Sequence, residues 1–365
     1  YSFFPLFSFA MNNFETTIMS DNRLRRHGVT SSDMGYFAWN HVVYLISLSV
    51  SYLYFRPRKT VLFTNQNLKP VSSAEVAIGF LLMLFLSLYQ VVIPALFGDA
   101  PPYIVEQLNN NFSALFFVMS IWFFAITLTR IDNNFFKIFL ILYITFELIK
   151  VITGLSGRSW FVIHIIALAL IYHRLIKPFS TKQLVVYIFL FLVVFLLAGF
   201  VKTSQASSIS GVLGFFTGNE EFTAVFTTAY DLHIQKNVLQ TVGEIPFAVS
   251  TFDFNNIIPS QFLPFEKMSQ AQWYLYINGW ENDGVGFAFG AISQGILGWG
   301  KLDLWIRGLV TGTFFGFLHR TVNNKNVSIW SLVFYVFIAI KGYQTFRAGT
   351  GYILYFVVYQ FLPCY

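Results

Sequence analysis

Charged side chains are scarce in this chain. Asp, Glu, Lys and Arg make up 11% of its 365 residues, whereas hydrophobic residues make up 56% and aromatic residues alone 20%. Soluble domains carry roughly 25% charged and about 45–50% apolar residues. With less than half the usual charge, the chain cannot keep a globular surface hydrated, so its apolar side chains must face lipid. The composition predicts a polytopic membrane protein and excludes cytosolic enzymes, nucleic-acid-binding proteins and secreted disulfide scaffolds.

Cysteine and the common cofactor motifs are also missing. The single cysteine, Cys364, permits neither an internal disulfide nor a thiolate metal cluster. There is no P-loop, no G-x-G-x-x-G that opens a helix after a strand, no H-E-x-x-H and no Cys/His metal spacing. The sequence therefore predicts no cofactor: no bound nucleotide, no dinucleotide and no metal ion.

Long apolar runs, in contrast, are frequent. A helix needs about 20 mostly apolar residues to cross a hydrocarbon core of about 30 Å. The chain does not begin with Met, and we interpret residues 1–11 as the end of a further span. The predicted fold is all-α, a polytopic membrane bundle of about nine to eleven transmembrane helices with truncated ends. The nine clear spans are 36–55, 74–97, 112–130, 135–153, 160–176, 184–201, 301–318, 328–342 and 351–365.

The loops between these runs differ in charge. Short loops rich in Lys and Arg indicate the cytoplasmic side of a membrane protein. The net charge of +6 would suggest nucleic acid as a partner of a soluble chain, but here the loop asymmetry explains it. The loops predicted to be cytoplasmic are 56–69, 130–137, 173–182 and 319–326. Alternation then places five segments on the outer face: 12–35, 98–111, 154–159, 202–300 and 343–350.

One apolar stretch, residues 284–298, is too short to be a span. Fifteen residues of helix rise only about 22 Å, and a crossing here would put the basic loop 319–326 outside. We interpret the stretch as a re-entrant or interfacial helix that enters from the outer face, where its glycines suit close packing. The chain then divides into an N-terminal transmembrane bundle (1–201), a periplasmic loop domain (202–283) and a Gly-rich segment with C-terminal spans (284–365).

The loop domain 202–283 is the one long polar stretch. It holds three lysines against eight acids, a net charge of −5. Its aromatic residues and prolines favour a packed cap over a disordered linker. Aromatic rings with scattered acids suit sugar binding, although anchoring of Trp and Tyr at the membrane interface explains the rings equally well.

Several cations lie on the predicted outer face, against the usual charge rule. Arg offers a planar fork to phosphate oxygens, so a phosphate or pyrophosphate ligand would explain them. The alternative is that they pair with the outer acids or reach toward headgroups. These cations are Arg158, Lys202, Lys341 and Arg347, together with the RLRRH run at 23–27.

Ionisable residues inside spans are functional candidates by default, but local pairing explains most of them here. Glu147 and Lys150 are three residues apart on one helical face and are expected to neutralise each other. Arg307 could bind lipid or substrate, and internal pairing is favoured. His164 is favoured as a core histidine.

Four segments together resemble one protein family. They are the outer turn GLSGRSW, the loop motifs GNEEF and IIPSQFLPF, and GWENDGVGFAFGAISQGILGWG before a basic turn. Their order resembles the bacterial O-antigen and exopolysaccharide repeat-unit polymerases over roughly residues 110–360. In that family a G-x-G-F segment, here Gly284 to Phe287, leads into a small-residue helix. The family often has an acid or Tyr on that helix, where this chain has Ser293 and Gln294.

The resemblance implies a GT-C-type glycosyltransferase in the bacterial inner membrane, independent of nucleotide and metal. It would join undecaprenyl-pyrophosphate-linked oligosaccharide units at the periplasmic face, with membrane lipid as its surroundings and a chain-length regulator as a protein partner. Such a reaction needs outer cations for the departing pyrophosphate and a carboxylate for the hydroxyl proton. The candidate pyrophosphate ligands are Arg158, Lys202, Lys341 and Arg347. The candidate bases or sugar ligands are Glu221, Asp253 and Asp283.

Three other functions stay open. A lipid-linked oligosaccharide flippase would usually show a two-fold repeat with paired broken helices, whereas this chain has one broken segment. An O-antigen ligase, which transfers polymer to lipid A core, is poorly separated from a polymerase by sequence. A scaffolding membrane protein would not need the outer cations.

Overall fold

The computed structural model describes most, but not all, of the chain. Its secondary structure in this part is helical and contains no β-strand, which confirms the all-α class. The expected span remnant at 1–11, the RLRRH run and nearly all of span 184–201 lie outside the described residues. The described residues are 31–58, 70–97, 103–130, 132–152, 158–180, 182–183, 185–187, 228–229, 231–233, 245–279, 289–323, 327–342 and 349–361.

Long helices occupy seven of the predicted spans. They are α1 (Ser31–Phe55), α2 (Ser73–Phe97), α3 (Tyr103–Thr129), α4 (Asn134–Ile152), α5 (Arg158–Leu175), α10 (Lys301–Thr321) and α11 (Ile329–Lys341). Short helices lie between or after them: α6 (Phe247–Ser250), α7 (Phe252–Asn255), a 3₁₀ turn (Ser260–Phe262), α8 (Gln270–Ile277), α9 (Gly290–Leu297) and α12 (Gly351–Tyr355), which continues as a π-helix (Phe356–Phe361).

Length and hydropathy single out one of these helices. Within the described residues, Ser73–Ile93 in α2 is long and apolar enough to cross a membrane. Three further apolar stretches are shorter, at Leu115–Thr129, Phe161–Leu175 and Ile329–Lys341.

The chain forms two compact units, each built from segments that are distant in sequence. Unit A comprises residues 1–55, 180–316 and 343–354, and unit B comprises residues 56–179, 317–342 and 355–365. Helix α10 therefore begins in one unit and ends in the other.

In unit A, two glycines of α10 bring that helix against α1. A Cβ on Gly312 would lie 2.1 Å from the carbonyl oxygen of Leu48 and 2.1 Å from the Ser51 hydroxyl oxygen. A Cβ on Gly308 would lie 1.8 Å from the Ser47 hydroxyl oxygen. Small residues four apart allow helix backbones to approach this closely, and such pairs are common where helices pack in lipid.

Among its described residues, the Gly-rich stretch of unit A contains one short helix. Helix α9 is eight residues long and all eight are buried. It rises about 12 Å, less than the thickness of a bilayer, and the re-entrant or interfacial placement of this stretch stays a prediction. Residues 284–288 lie outside the described residues.

In unit B, α3 is the central helix. Nearly every side chain from Phe116 to Leu128 is buried, against α2, α5, α11 and the π-helix. The ring of Trp122 stacks on Trp330 at 6.5 Å between centroids. Since both sides of α3 are covered, its continuous apolar run is explained by the core alone.

Unit B also contains three of the ionisable residues that the sequence placed inside spans. The Lys150 ammonium lies 2.9 Å from a Glu147 carboxylate oxygen and donates to Gln90 at 2.7 Å, which confirms the expected pairing. His164 is buried, with its ring 5.5 Å from that of Phe117. The core interpretation of His164 is therefore also confirmed.

The close contact between α1 and α10 gives a stability prediction. Replacing Gly312 with Leu should destabilise the protein by about 1–3 kcal/mol, because the new side chain must displace the α1 backbone. The thermal unfolding midpoint of the purified protein measures this loss. Val310→Leu is the matched control, since it enlarges an exposed side chain of the same helix. Equal midpoints for the two variants would contradict the packing.

Candidate functional site

A network of polar side chains in unit A surrounds Arg307. Asp303 lies one turn earlier on α10, and Arg307 Nε donates to Asp303 Oδ2 at 2.8 Å. Both side chains are about 15% exposed. The i, i+4 spacing puts the two groups on one helical face, so α10 itself builds the first ion pair of the site. The favoured prediction of internal pairing for Arg307 is confirmed.

The second ion pair joins α10 to the loop domain. Arg307 Nη1 lies 2.5 Å from Asp253 Oδ2, and Asp253 belongs to the short helix α7. Its other oxygen, Oδ1, accepts hydrogen bonds from Gln294 Nε2 at 3.2 Å and from the Gly351 amide at 3.1 Å. A carboxylate offers about four acceptor positions, and three donors therefore occupy most of them.

Gln294 is the hub of the network, although it carries no charge. Its carbonyl oxygen accepts from Arg307 Nη1 at 2.9 Å and from the Thr350 amide at 3.0 Å. Its amide group donates to Gln270 Oε1 at 2.8 Å, besides its bond to Asp253. Gln294 is 2% exposed, so a group at this position without a donor and an acceptor would leave buried partners unsatisfied.

Local structure fixes the backbone positions of Gln270 and of the 349–351 segment. Ser269 caps α8 through a capping box with Gln272, and Gln270 is therefore the first residue of a well-defined helix. The 349–351 segment approaches closely because it contains glycine. A Cβ on Gly351 would lie 2.3 Å from Asp253 Oδ1, and one on Gly349 would lie 2.3 Å from Gln294 Nε2.

A small cavity opens beside the network. It has a volume of about 50 Å³ and combines aliphatic walls with polar groups; it is lined by Ile245, Val249, Ser250, Gln270, Gln294, Leu297, Gly298 and Arg307. Arg307 Nε donates to Asp303, and the two hydrogens of Nη1 are shared among Asp253, Gln294 and the Thr350 hydroxyl. Nη2 makes no hydrogen bond to the described residues. The cavity can therefore receive a group that accepts from a guanidinium.

The charge of the network decides which ligands suit it. One guanidinium faces two carboxylates, those of Asp253 and Asp303, so the three groups together carry a charge of −1. A pyrophosphate would be repelled by this balance, whereas neutral hydroxyl or amide groups would find both donors and acceptors. The arrangement suits a neutral hydroxyl or amide group better than a phosphate.

Of the residues that the sequence proposed, the structure describes only part. Asp253 lies in the network, where its ion-pair partner among the described residues is Arg307. The Lys341 ammonium in unit B lies over the rings of Phe117 and Phe356, at 5.3 and 4.9 Å from their centroids. Arg158 is the first residue of α5, and its side chain is not described. Glu221, Asp283, Lys202 and Arg347 lie outside the described residues.

Sequence reasoning missed the polar partners of Arg307. Asp303 could have been found, because an acid and a base four residues apart inside an apolar helix predict an ion pair. Gln294 was noted only because the resembling family has an acid or Tyr on that helix. Nothing in the sequence distinguishes Gln270 or Thr350 from other polar loop residues.

Comparison with protein-family models, with curated proteins and with solved structures finds no match for this chain.

The two carboxylates around Arg307 predict a strong effect of neutralising it. Arg307→Gln should lower the free energy of unfolding by about 3 kcal/mol, because two poorly exposed carboxylates lose their counter-charge. Thermal unfolding of the purified variant measures the loss. Arg320→Gln, which removes an exposed charge from the same helix, serves as the control.

Adding Asp253→Asn to Arg307→Gln should recover part of this stability, since one of the two uncompensated charges is removed. Additive losses in the double variant would contradict the coupling between the two side chains.

Proposed function

We propose that this protein is a membrane-embedded polysaccharide polymerase. It joins lipid-pyrophosphate-linked oligosaccharide units at the outer face of the membrane and releases undecaprenyl pyrophosphate. The observation that carries the proposal is the origin of the residues around Arg307. Asp253 and Gln270 come from the loop domain, Gln294 from the re-entrant stretch and Thr350 from the loop 343–350.

This convergence supports the proposed topology. Charge alternation predicts that the segments 202–300 and 343–350 lie on the outer face, and side chains of both meet within hydrogen-bond distance near the start of α10. A common position for these two segments supports a site for outer-face chemistry.

Exposed apolar side chains support a location in lipid. Helix α2 exposes more than half of several large residues, and α4 presents a similar surface. A soluble protein rarely exposes contiguous apolar surface of this extent. The exposed residues are Ile78, Leu81, Leu84, Phe85 and Leu88 on α2, and Ile138, Ile141, Leu142 and Ile149 on α4.

The proposed transfer divides the work between two kinds of residue. The bond between the donor sugar C1 and the pyrophosphate oxygen breaks, and a bond from C1 to an acceptor hydroxyl oxygen forms. The leaving pyrophosphate takes the electron pair and is stabilised by a cation of the outer face. Each of Arg158, Lys202, Lys341 and Arg347 is a candidate for this role on its own. The hydroxyl proton passes to a carboxylate, for which Glu221 and Asp283 are the candidates.

Asp253 has a different role in this proposal. Its oxygens accept hydrogen bonds from Arg307, Gln294 and the Gly351 amide, so little capacity is left for a proton from substrate. We assign it as a positioning residue that orients Arg307 and Gln294 toward the hydroxyl or amide groups of a sugar in the cavity.

The alternative functions share part of this site. A ligase would use the same donor carrier with a lipid A core acceptor, and an outer-face network serves both reactions. A flippase would need its binding site to open alternately to each side. Bonds to Arg307 from two predicted outer segments, 202–300 and 343–350, favour a fixed outer site over such alternation.

The topology can be tested with single cysteines in a Cys364→Ala background. Ser260→Cys, in the loop domain, should react with a membrane-impermeant maleimide in intact spheroplasts. Ser180→Cys, in the loop 173–182, should react only after permeabilisation. Both positions are exposed, so accessibility in the fold does not limit either reaction. Reaction of Ser180→Cys in intact spheroplasts would disprove the predicted cytoplasmic side of the loop 173–182.

The activity can be tested with purified protein and lipid-linked repeat units. The wild type should produce a ladder of polymer lengths, and Arg158→Gln or Arg347→Gln should reduce it by about 10²–10³-fold, as expected when one stabilising donor to a leaving group is lost. Arg58→Gln, an exposed cation of the loop 56–69, is the control.

Full-length ladders from both outer variants would remove the pyrophosphate assignment. Transfer only to a lipid A core acceptor would identify a ligase, and transport of the lipid-linked unit without any product would identify a flippase.

A further inference from the structure

A second polar cluster lies in unit B, away from the residues assigned above. We call it the basic cluster; it consists of Arg56, Arg174, His319 and Tyr335. Arg174 lies in the last turn of α5, His319 lies in the last turn of α10, and Arg56 directly follows α1. The loops 56–69, 173–182 and 319–326, all expected on the cytoplasmic side, thus begin at this cluster.

Two hydrogen bonds fix the orientation of the Arg174 guanidinium. Its Nη2 group lies 3.1 Å from His319 Nε2 and donates to the Tyr335 hydroxyl at 3.0 Å. The guanidinium carbon lies 5.0 Å from the centroid of the Tyr335 ring. Nη2 has only two hydrogens, so both are used. The Nε and Nη1 groups form no hydrogen bond with the described residues, so their three N–H donors stay available.

His319 supports this orientation without adding charge. It follows the predicted span 301–318, and burial together with the charges of Arg174 and Arg56 lowers the pKa of its imidazole to about 4. The ring is therefore neutral near pH 7 and can accept from Arg174. Two full positive charges, those of Arg56 and Arg174, remain in the cluster.

No carboxylate compensates these charges within the described residues. Helices α5 and α11 contain no acid, and the only acid of α10 is Asp303. Asp303 is 16 residues before His319, about 24 Å along the helix, and it is paired with Arg307. Neither Arg56 nor Arg174 takes part in an ion pair with a described residue. The positive charge of the basic cluster is therefore not balanced by any carboxylate of the described residues, and an external anion could balance it.

We propose that the basic cluster binds the phosphate of an anionic phospholipid in the cytoplasmic leaflet. The Nε–H and Nη1–H groups of Arg174 can each donate a charge-assisted hydrogen bond to a phosphate oxygen. Ile176 and Phe317 expose 38% and 46% of their surface close by in sequence, and acyl chains would cover such apolar groups whereas a free anion would not. This inference rests on the membrane location under Proposed function, but not on polymerase activity.

The test measures lipid retention by native mass spectrometry of the purified, delipidated full chain. Phosphatidylglycerol is titrated against phosphatidylcholine. The wild type should retain phosphatidylglycerol preferentially, and Arg174→Gln should weaken that binding by about tenfold, the effect of losing a charge-assisted contact. Lys177→Gln is the matched control, because it removes an exposed cation at the same end of α5 without altering the basic cluster.

Loss of the preference in Arg174→Gln but not in Lys177→Gln supports the site. Equal binding by Arg174→Gln and wild type, or an equal loss in the control, overturns it. If Arg174→Gln does not fold, Arg56→Gln decides, because Arg56 is exposed and forms no hydrogen bond with described residues.

Inorganic phosphate is added as a competitor, and displacement of phosphatidylglycerol by it at equal concentration would identify a free-phosphate site instead. A polymer ladder from all these variants would leave the proposed function intact.

Discussion

Arg307 holds unit A together at its most polar point. One guanidinium binds Asp303 on its own helix, Asp253 from the loop domain, and Gln294 and Thr350 from two other segments. Poorly exposed charges are tolerated only when they are paired and hydrogen-bonded. The position of each segment is therefore constrained by the same group. A chain with so few charged residues depends heavily on the few that meet inside it.

The same scarcity explains how the remaining described charges are arranged. Glu147 and Lys150 neutralise each other inside unit B, and aromatic rings lie beside the ammonium of Lys341. In the basic cluster, neither Arg56 nor Arg174 forms an ion pair with a described residue. Ion pairs inside the fold neutralise each other and indicate little about a ligand. A cluster of cations without an acid, in contrast, indicates an anionic ligand. This difference separates structural charges from candidate binding groups.

Helices were largely predictable from the sequence, and the site was not. Apolar runs gave the seven long helices to within a few residues at most ends, although α3 begins nine residues before its predicted span. Pairs at i, i+3 and i, i+4, such as Glu147 with Lys150, follow from helix geometry. Contacts of Gln294 with Asp253 and Thr350 join residues 41 and 56 apart in the chain. Such contacts depend on how loops pack, and loops have no hydrophobic periodicity from which a single sequence could predict their contacts.

Two of the bonds that close this network come from main-chain amides, those of Thr350 and Gly351. Alanine substitution does not remove these main-chain donors, and Thr350→Ala would delete only the bonds of its hydroxyl to Arg307 and Gln294. The turn is instead sensitive to added bulk, because a methyl group at Gly351 would collide with Asp253. Substitutions in this turn are therefore limited mainly by the size of the new side chain and by the backbone conformation.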